Sequence, residues 1–310
     1  MGILRTVTLN TGYDDYYTVT GFDWGGLGRM HAYQSVCSGK GVSCARTAVA
    51  LGLPTKAYAL VGAEDLDHYS GRLSAEGLPH DLVSVPGRTR HNLTLVDGTG
   101  EQVAAHFVAA GFDLTGPDAV APLVERVVVD VVPGDVVTLN GSTPSGLPDS
   151  TWADLARSCL EAGARVVVDA QKAAFREALK VPGLTAFKPN DDEIAALPGI
   201  AEAPAELRVK LALEQLAATG VRIPLVSLGA RGVALLRDGE LATMSCPVDS
   251  PIQSVMAGDA FVAGLVWGLL QDRDEEDCIR HGLAAAAAHV SGLTGEALRL
   301  RAVENLDRVV

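Results

Sequence analysis

The sequence predicts an α/β fold in which a central, mostly parallel sheet is flanked by helices. Short runs rich in Val, Leu and Ile alternate along the chain with longer stretches of helical periodicity. Parallel strands covered on both faces form continuous apolar runs, because neither face meets water. Strands that alternate with helices favour one sheet with helices packed on both of its faces.

The runs assigned to strands and helices follow one another in the order that such a fold requires. The predicted buried strands are Ile3–Leu9, Thr55–Val61, Asp135–Leu139, Arg165–Val168, Ala186–Phe187 and Ile223–Ser227. The predicted helices are Ala45–Leu51, Thr151–Ala162, Pro204–Thr219 and Ala260–Leu270. Because no fixed-period repeat and no low-complexity linker divides the chain, we expect residues 1–310 to form one domain.

Two segments depart from this alternation and predict a second, smaller sheet. Tyr13–Tyr33 is rich in Thr, Tyr, Trp and Gly, and Thr89–Val108 alternates polar and apolar residues around Asp97-Gly98-Thr99-Gly100. An Asp-Gly pair between β-prone runs is typical of a hairpin turn. We expect segments of about 11–35 and 88–109 to form a β-sheet lid over a site, since lids exclude water from groups in transfer.

Composition and charge argue against several classes of protein. The chain is 48% hydrophobic, which suffices for a large core, and its formal net charge of −13 does not attract nucleic acid or an anionic membrane. The five scattered cysteines form no CxxC pair and the histidines no HExxH, so no disulfide framework or zinc site is expected. With no apolar run of the ~18 residues that a membrane helix needs, and no signal-peptide pattern, we expect a cytoplasmic protein.

The segment Ser254–Phe261 has the pattern of a helix start that binds an anion. Small residues precede the helix, and N–H groups exposed at a helix N-terminus stabilise negative charge. In a functional interpretation, Asp259 is the general base for an attacking hydroxyl, while the N–H groups of Ala257 and Gly258 hold a transferring phosphoryl group. A simple helix cap has the same pattern, because aspartate is favoured at helix N-termini whatever the function.

A second segment of small residues, Ser38–Ala45, precedes the first predicted helix. Gly39 and Gly41 flank Lys40 and allow a ligand to approach the backbone closely. The GxxxxGK[ST] pattern is absent, so the segment is not a P-loop. A plain loop with an exposed lysine would look the same.

Short motifs in a fixed order connect these segments. They are Thr8-Leu9-Asn10 followed by Asp14, Ser38-Gly39-Lys40-Gly41, Thr89-Arg90-His91-Asn92, Asn140-Gly141-Ser142-Thr143-Pro144-Ser145-Gly146, Lys188-Pro189-Asn190-Asp191-Asp192-Glu193, Ser227-Leu228-Gly229-Ala230-Arg231-Gly232 and Ala257-Gly258-Asp259. Over nearly the whole chain they resemble the PfkB, or ribokinase-like, family of carbohydrate kinases. The branch of 1-phosphofructokinases and tagatose-6-phosphate kinases is the most similar, and acarbose 7-kinase is a further similar protein.

The resemblance implies a ribokinase-like kinase that uses ATP to phosphorylate a hydroxyl of a small sugar-like molecule. It implies that Asp259 is the catalytic base and that Ala257 and Gly258 belong to the anion hole. The substrate-binding residues that it implies are Asp14, Gly39, Lys40, Ser43, Arg90, Asn92 and Ser142. The ATP-binding residues that it implies are Lys188, Asn190, Glu193, Ser227, Gly229 and Gly232, with Asn190 and Glu193 also organising Mg²⁺ through water.

Departures from the family pattern concern the acceptor. Ser38 replaces the first glycine of GGKG, and Ser43 replaces an asparagine whose pair of hydrogen bonds serine cannot make, which favours a change of substrate. Arg90 favours instead an acceptor that already bears a phosphate, because arginine grips phosphate bidentately. Met256 stands where the family usually has glycine, which adopts backbone angles that methionine resists.

The leading hypothesis is therefore a bacterial, 1-phosphofructokinase-like kinase of a sugar phosphate. One alternative is a kinase of an unphosphorylated cyclitol or pseudo-oligosaccharide such as acarbose. Another is a catalytically weak sensor of sugar and nucleotide, motivated by Ser38, Ser43 and Met256 and opposed by Asp259. A nicotinamide-dependent oxidoreductase is disfavoured because no GxGxxG follows the first strand. The β-prone, aromatic lid is compatible with a homodimer through Tyr13–Tyr33.

Overall fold

Strands and helices alternate along most of the chain, as the apolar runs predict. The computed structural model describes residues 2–21, 23, 25–97 and 103–310. The strands are β1 (Leu4–Thr8), β2 (Gly12–Thr20), β3 (Arg29–Ser38), β4 (Thr55–Gly62), β5 (His80–Val85), β6 (Arg90–Val96), β7 (Val103–Phe107), β8 (Val136–Gly141), β9 (Arg165–Ala170), β10 (Ala186–Phe187), β11 (Ile223–Pro224), β12 (Val226–Ser227), β13 (Val233–Arg237) and β14 (Glu240–Met244). The helices are α1 (Lys40–Ala50), α2 (Leu66–Ala75), α3 (Ala121–Asp130), α4 (Thr151–Glu161), α5 (Lys172–Ala178), α6 (Ala205–Ala218), α7 (Ala257–Leu270), α8 (Glu275–Val290) and α9 (Gly295–Asn305).

Seven strands form the central sheet in the order β11-β10-β9-β8-β1-β4-β5, and all of their pairings are parallel. Val166 and Val168 of β9 face the core that α3 to α6 cover, whereas Val167 faces the core under α1, α7, α8 and α9. After β1 the chain adds β4 and β5 on one side of it, and then β8 to β11 on the other side, so the order of strands changes direction between β1 and β8. In open parallel sheets, ligands bind beyond the carboxyl ends of the strands at such a point.

The two segments that interrupt the alternation meet in one four-stranded sheet, as predicted. Its order is β3-β2-β6-β7, with β2 parallel to β6 and the other neighbours antiparallel. The predicted turn at Asp97–Gly100 lies outside the described residues beyond Asp97, and so do Phe22 and Trp24 of the first segment. The strands on either side of that turn pair antiparallel, with Leu93 opposite Phe107.

Most predicted elements differ from the structure by a few residues at their ends, and two differ more. Helix α1 begins at Lys40 rather than at Ala45, so Lys40 and Ser43 are helical residues. This first turn requires glycine at position 41, because a Cβ there would lie 2.3 Å from Thr8 Oγ1. A larger residue would force the neighbouring atoms to move. The predicted strand Ile223–Ser227 is two strands: β11 belongs to the central sheet, and β12 pairs with β13 in a separate antiparallel sheet with β14.

Close packing between α7 and α8 fixes the helix that carries Asp259. A Cβ on Gly264 would lie 2.3 Å from the carbonyl oxygen of His281, and one on Gly282 would lie 2.7 Å from the ring of Phe261. Only glycine therefore lets the two backbones approach this closely. Although α7 is apolar over most of its 14 residues, no helix in the described ranges is long and apolar enough to cross a membrane.

Gly264→Ala is expected to destabilise the protein, because the added methyl group overpacks the contact between α7 and α8. We expect a loss of about 1–3 kcal/mol in the free energy of unfolding, measured by denaturant titration. Gly71→Ala is the matched control, since a Cβ at this α2 position meets nothing within 4 Å. There the loss of unfolded-state entropy should stabilise the protein by about 0.5–1 kcal/mol. Equal effects of the two substitutions would contradict this account of the helix contact.

Candidate active site

A cavity of about 990 Å³ lies at the carboxyl edge of the central sheet, with the four-stranded sheet on its other side. Every site residue predicted from the sequence lines it. They are Asp14, Arg90 and Asn92 on the four-stranded sheet, Gly39, Lys40 and Ser43 at the start of α1, Ser142 after β8, Lys188, Asn190 and Glu193 after β10, Ser227, Gly229 and Gly232 around β12, and Ala257, Gly258 and Asp259 in the first turn of α7.

Asp259 is a buried carboxyl group on the first turn of α7, with only 6% of its surface exposed. Burial, with a smaller contribution from the negative charge of Asp169, raises its pKa to about 7, while Lys40 and Lys188 oppose the shift. A carboxyl group with a pKa near neutrality can take up a proton during a reaction at physiological pH.

Asp169, at the end of β9, is a site residue that the sequence analysis missed. It is 1% exposed, and its carboxylate lies 3.2 Å from the ammonium groups of both Lys40 and Lys188. Burial opposes its ionisation, but the two lysines outweigh burial and lower its pKa. The available signal was an acidic residue directly after a predicted buried strand, Arg165–Val168, since such carboxyl ends meet at the edge where ligands bind.

The start of α7 presents one free N–H group to the cavity. The carbonyl of Met256 accepts the N–H groups of Asp259 and Ala260, both at 3.0 Å, and the N–H of Ala257 donates to Ser254 at 3.3 Å. The N–H of Gly258 makes no hydrogen bond to a described residue. A Cβ on Gly258 would lie 3.4 Å from the ammonium nitrogen of Lys188. A helix N-terminus, a free N–H and an ammonium group thus converge where an anion can bind.

Arg90 is hydrogen-bonded to the backbone at the end of the cavity beneath the four-stranded sheet. Its guanidinium donates to the carbonyl oxygens of Asn10, Thr11 and Ala109 at 3.1–3.3 Å, and burial lowers its pKa. Three of the five N–H groups of arginine are therefore used, which leaves two for a ligand. Asn92 donates to Asp14 at 2.7 Å and accepts the N–H of Ala109 at 3.1 Å. Arg90 and Asn92 therefore both hold the backbone at Ala109.

Two asparagines, Asn10 and Asn140, were also missed as cavity residues. Asn10 follows β1 and donates to the hydroxyl of Ser142 at 3.1 Å. Asn140 is the penultimate residue of β8 and is fully buried, yet neither its amide nitrogen nor its amide oxygen has a hydrogen-bond partner among the described residues. Buried amides without partners are costly, so Asn140 is suited to bind water or a polar ligand in the cavity. The sequence signal that could have identified them is their position, because each directly follows a predicted strand.

Asn190 and Glu193 hold each other in place on the opposite side of the cavity. The N–H of Glu193 donates to the side-chain oxygen of Asn190 at 2.7 Å, and the N–H of Asn190 donates to one carboxylate oxygen of Glu193 at 3.0 Å. No group of three or more potential metal ligands of the His, Cys, Asp and Glu types exists in the described part of the chain. One remaining carboxylate oxygen fits a magnesium ion that is reached largely through water and phosphate oxygens.

An apolar part of the same cavity lies beside α8. Leu283, Ala286, Ala287 and Val290 of α8 line it. Gly232 has a φ of 88°, and a Cβ there would lie 2.0 Å from the carbonyl oxygen of Met244, so this turn requires glycine. The hydroxyl of Ser227 donates to the carbonyl of Pro189 and joins the turn to the Asn190 segment. A flat, mostly apolar ring fits such a region.

Comparisons with known proteins agree with this geometry. The family model of the pfkB family carbohydrate kinases matches residues 11–295. A 1-phosphofructokinase of Rhodobacter capsulatus is 35% identical over 266 residues, which is 85% of this chain and 82% of that protein. A 1-phosphofructokinase of Bacillus subtilis is 29% identical over 286 residues, 92% of each protein.

Solved structures show the same fold. Phosphofructokinase-2 from Escherichia coli in complex with fructose-6-phosphate superposes with a TM-score of 0.88, at 24% identity over 99% of this chain and 100% of that one. The same enzyme forms a tetrameric inhibited form. Arabidopsis thaliana ribokinase complexed with ribose and ATP gives a TM-score of 0.73, at 22% identity over 99% of each chain. The predicted ribokinase-like fold is thereby confirmed, and the chain belongs to the pfkB family of carbohydrate kinases.

Proposed function

We propose that this carbohydrate kinase transfers the γ-phosphoryl group of ATP to a hydroxyl of a sugar phosphate, with Asp259 as the general base. The observation that carries the proposal is the first turn of α7. There a buried carboxyl group with a pKa of about 7 lies one residue from a free N–H beside the ammonium group of Lys188. A proton acceptor and an anion site are thus adjacent, as phosphoryl transfer requires.

In the proposed mechanism, the adenine ring occupies the apolar region beside α8 and the phosphates extend towards Gly258. The acceptor hydroxyl gives its proton to Asp259 while its oxygen bonds to the γ-phosphorus. The bond from that phosphorus to the β–γ bridging oxygen breaks, and ADP leaves with the electron pair. Charge on the transferring group is stabilised by the N–H of Gly258 and by Lys188. Asn190 and Glu193 would hold a magnesium ion through water, and the ion would neutralise charge on the phosphates.

The acceptor end supports a sugar phosphate as the leading choice. The relatives named 1-phosphofructokinase point to a phosphorylated ketose. Arg90 keeps two N–H groups, and Ser142 adds a hydroxyl nearby. A specific observation favours the second candidate, a kinase of an unphosphorylated cyclitol or pseudo-oligosaccharide: Arg90 is bound to three carbonyl oxygens and lies near Asp14, whose charge would oppose a phosphate.

We further propose that residues 1–310 form one kinase domain in which the four-stranded sheet, within about 11–35 and 88–109, closes as a lid. Its placement over the cavity supports this role, because closure would exclude water from the transferring group. We also propose a homodimer through this sheet. Its support is a group of exposed apolar side chains on or beside the outer strands: Leu27, Met30, Tyr33 and Phe107.

Purified protein with ATP and Mg²⁺ is expected to release ADP when a hexose phosphate is added. The panel comprises fructose 1-phosphate, fructose 6-phosphate, tagatose 6-phosphate, free hexoses, cyclitols and acarbose. Asp259→Asn should lower kcat by roughly 10²–10⁴-fold, because the amide cannot take the hydroxyl proton. Turnover of only an unphosphorylated member would select the second candidate. Near-native turnover by Asp259→Asn would contradict the mechanism, and ATP binding without turnover of any acceptor would favour a sensor.

The pH profile of kcat/KM should show an acid limb near pH 7. Below the pKa of Asp259, which is about 7, the carboxyl group is protonated and cannot act as a base. The rate should therefore rise with pH and reach a plateau above it. Lys188→Met should move this limb to higher pH, because it removes a positive charge that lowers the pKa of Asp259. Arg231→Met is the control, because Arg231 is an exposed cation that does not contact Asp169, Lys40 or Lys188. An acid limb that moved equally in both variants would refute the assignment of this limb to Asp259.

Light scattering of the purified protein is expected to give the mass of a dimer. Met30→Glu should shift the protein to a monomer, since Met30 is 59% exposed on the edge strand β3 and a charge there opposes burial between two copies. Val129→Glu is the matched control: Val129 is 75% exposed on α3, outside the four-stranded sheet. A dimer that survives Met30→Glu but not Val129→Glu would place the interface elsewhere.

A further inference from the structure

Ser43 and Met256, the two positions at which the family pattern is lost on α1 and before α7, are in direct contact. The hydroxyl of Ser43 donates to Sδ of Met256 at 3.1 Å. Both residues line the cavity, and Met256 precedes Asp259 by three positions. Ser43 is 5% exposed and Met256 is half-buried, so the pair forms a continuous piece of cavity wall beside the proposed base.

The backbone of Met256 is held in an unfavourable conformation. Its φ is 64° and its ψ is 6°, in the left-handed region. In the described ranges, the other residues with positive φ, apart from glycines, are Asp238 and Asp272. Aspartate tolerates this region because its short side chain bonds locally, whereas an unbranched apolar side chain gains nothing there. Strain retained at the edge of a reactive cavity points to a functional role for the side chain that bears it.

The pair gives its part of the wall an apolar character. The only hydroxyl hydrogen of Ser43 is used on the sulfur of Met256, so this wall offers the acceptor no side-chain donor. The polar groups Asn10, Asp14, Asn92 and Ser142 line other parts of the same cavity. An acceptor bound there would be held by hydrogen bonds at these groups and by van der Waals contact at the thioether.

We propose that Ser43 and Met256 act as one acceptor-selecting unit, in which the Met256 side chain fills the space that a longer polar residue at position 43 would reach. The inference rests on the proposed kinase function and deepens it. The preferred acceptor presents carbon, such as a methylene or ring C–H, to this wall, where a hydroxyl oxygen would find no side-chain donor. A longer side chain at position 43 fits only when Met256 is shortened.

The test is a double-variant cycle with acceptors that differ by one hydroxyl. Ser43→Asn, Met256→Gly and the double variant are assayed with fructose 1-phosphate and its 3-deoxy and 4-deoxy analogues. The measured quantity is the ratio of kcat/KM between the parent sugar and each analogue. In the wild type, fructose 1-phosphate and at least one deoxy analogue should have nearly equal kcat/KM, because the hydroxyl that this analogue lacks faces the apolar wall. In the double variant that ratio should rise at least tenfold, since asparagine now bonds the hydroxyl.

Coupling between the positions distinguishes selection from a merely structural contact. Ser43→Asn alone should lower kcat/KM at least tenfold for every acceptor, because its amide overlaps the thioether, and Met256→Gly should restore most of that loss. Asp272→Gly is the matched control: it relieves a similar φ of 53° at an exposed site away from the cavity, and should leave every ratio unchanged. Additive effects, or ratios in the double variant within twofold of the wild type, would overturn the proposal.

Failure of the proposed acceptor class gives a different result. If the wild type turns over no sugar phosphate but the double variant gains turnover of fructose 1-phosphate, the acceptor assignment falls and the selecting unit stands. If neither protein turns over fructose 1-phosphate while both still bind ATP, shown by a thermal shift with ATP, the selecting unit is refuted for this acceptor class as well.

Discussion

The interaction on which the site depends is the buried contact of Asp169 with Lys40 and Lys188. Burial at 1% exposure disfavours the ionised form of an isolated carboxylate. Here the two lysines, each 3.2 Å from the carboxylate, lower the pKa of Asp169 and keep it ionised. The charges of Asp169, Lys40 and Lys188 all act on the pKa of Asp259, and burial sets that pKa near neutrality. One aspartate is thus kept ionised and the other is kept available for a proton.

The parallel sheet and the glycines near it bring these charges together from distant parts of the chain. Asp169 is the penultimate residue of β9 and Lys188 follows β10, so neighbouring parallel strands place them at one edge of the sheet. Lys40 reaches the same point because Gly41 lets the start of α1 lie against Thr8. Asp259 is fixed by the close contact of α7 with α8 through Gly264. Backbone packing, rather than long side chains, therefore determines where the charged atoms lie.

The sequence predicts much of this arrangement, and the exceptions share a physical cause. Apolar runs predict every strand of the central sheet except β5, and motif positions predict many of the residues that line the cavity, since both follow from local patterns. Helix α1 is predicted to start at Ala45 because glycines disfavour helices, whereas packing on β1 extends it to Lys40. The bonds of Arg90 to Asn10 and Ala109, and the contact of Ser43 with Met256, join residues far apart in sequence. No local pattern encodes such contacts.

The two halves of the cavity differ in how they are built, and this difference bears on substrate identity. The half beside α8 and the Asn190 segment is formed by tight turns such as that at Gly232, where a larger residue would displace backbone. The half beneath the four-stranded sheet is formed by side chains that bond to one another, including the Asp14–Asn92 pair. A side chain there can change while the charged group around Asp169 stays intact. In the proposed mechanism, the nucleotide and the proton transfer are therefore constrained by the fold, whereas the proposed acceptor contacts depend on a few side chains, among them Ser43, Arg90 and Met256.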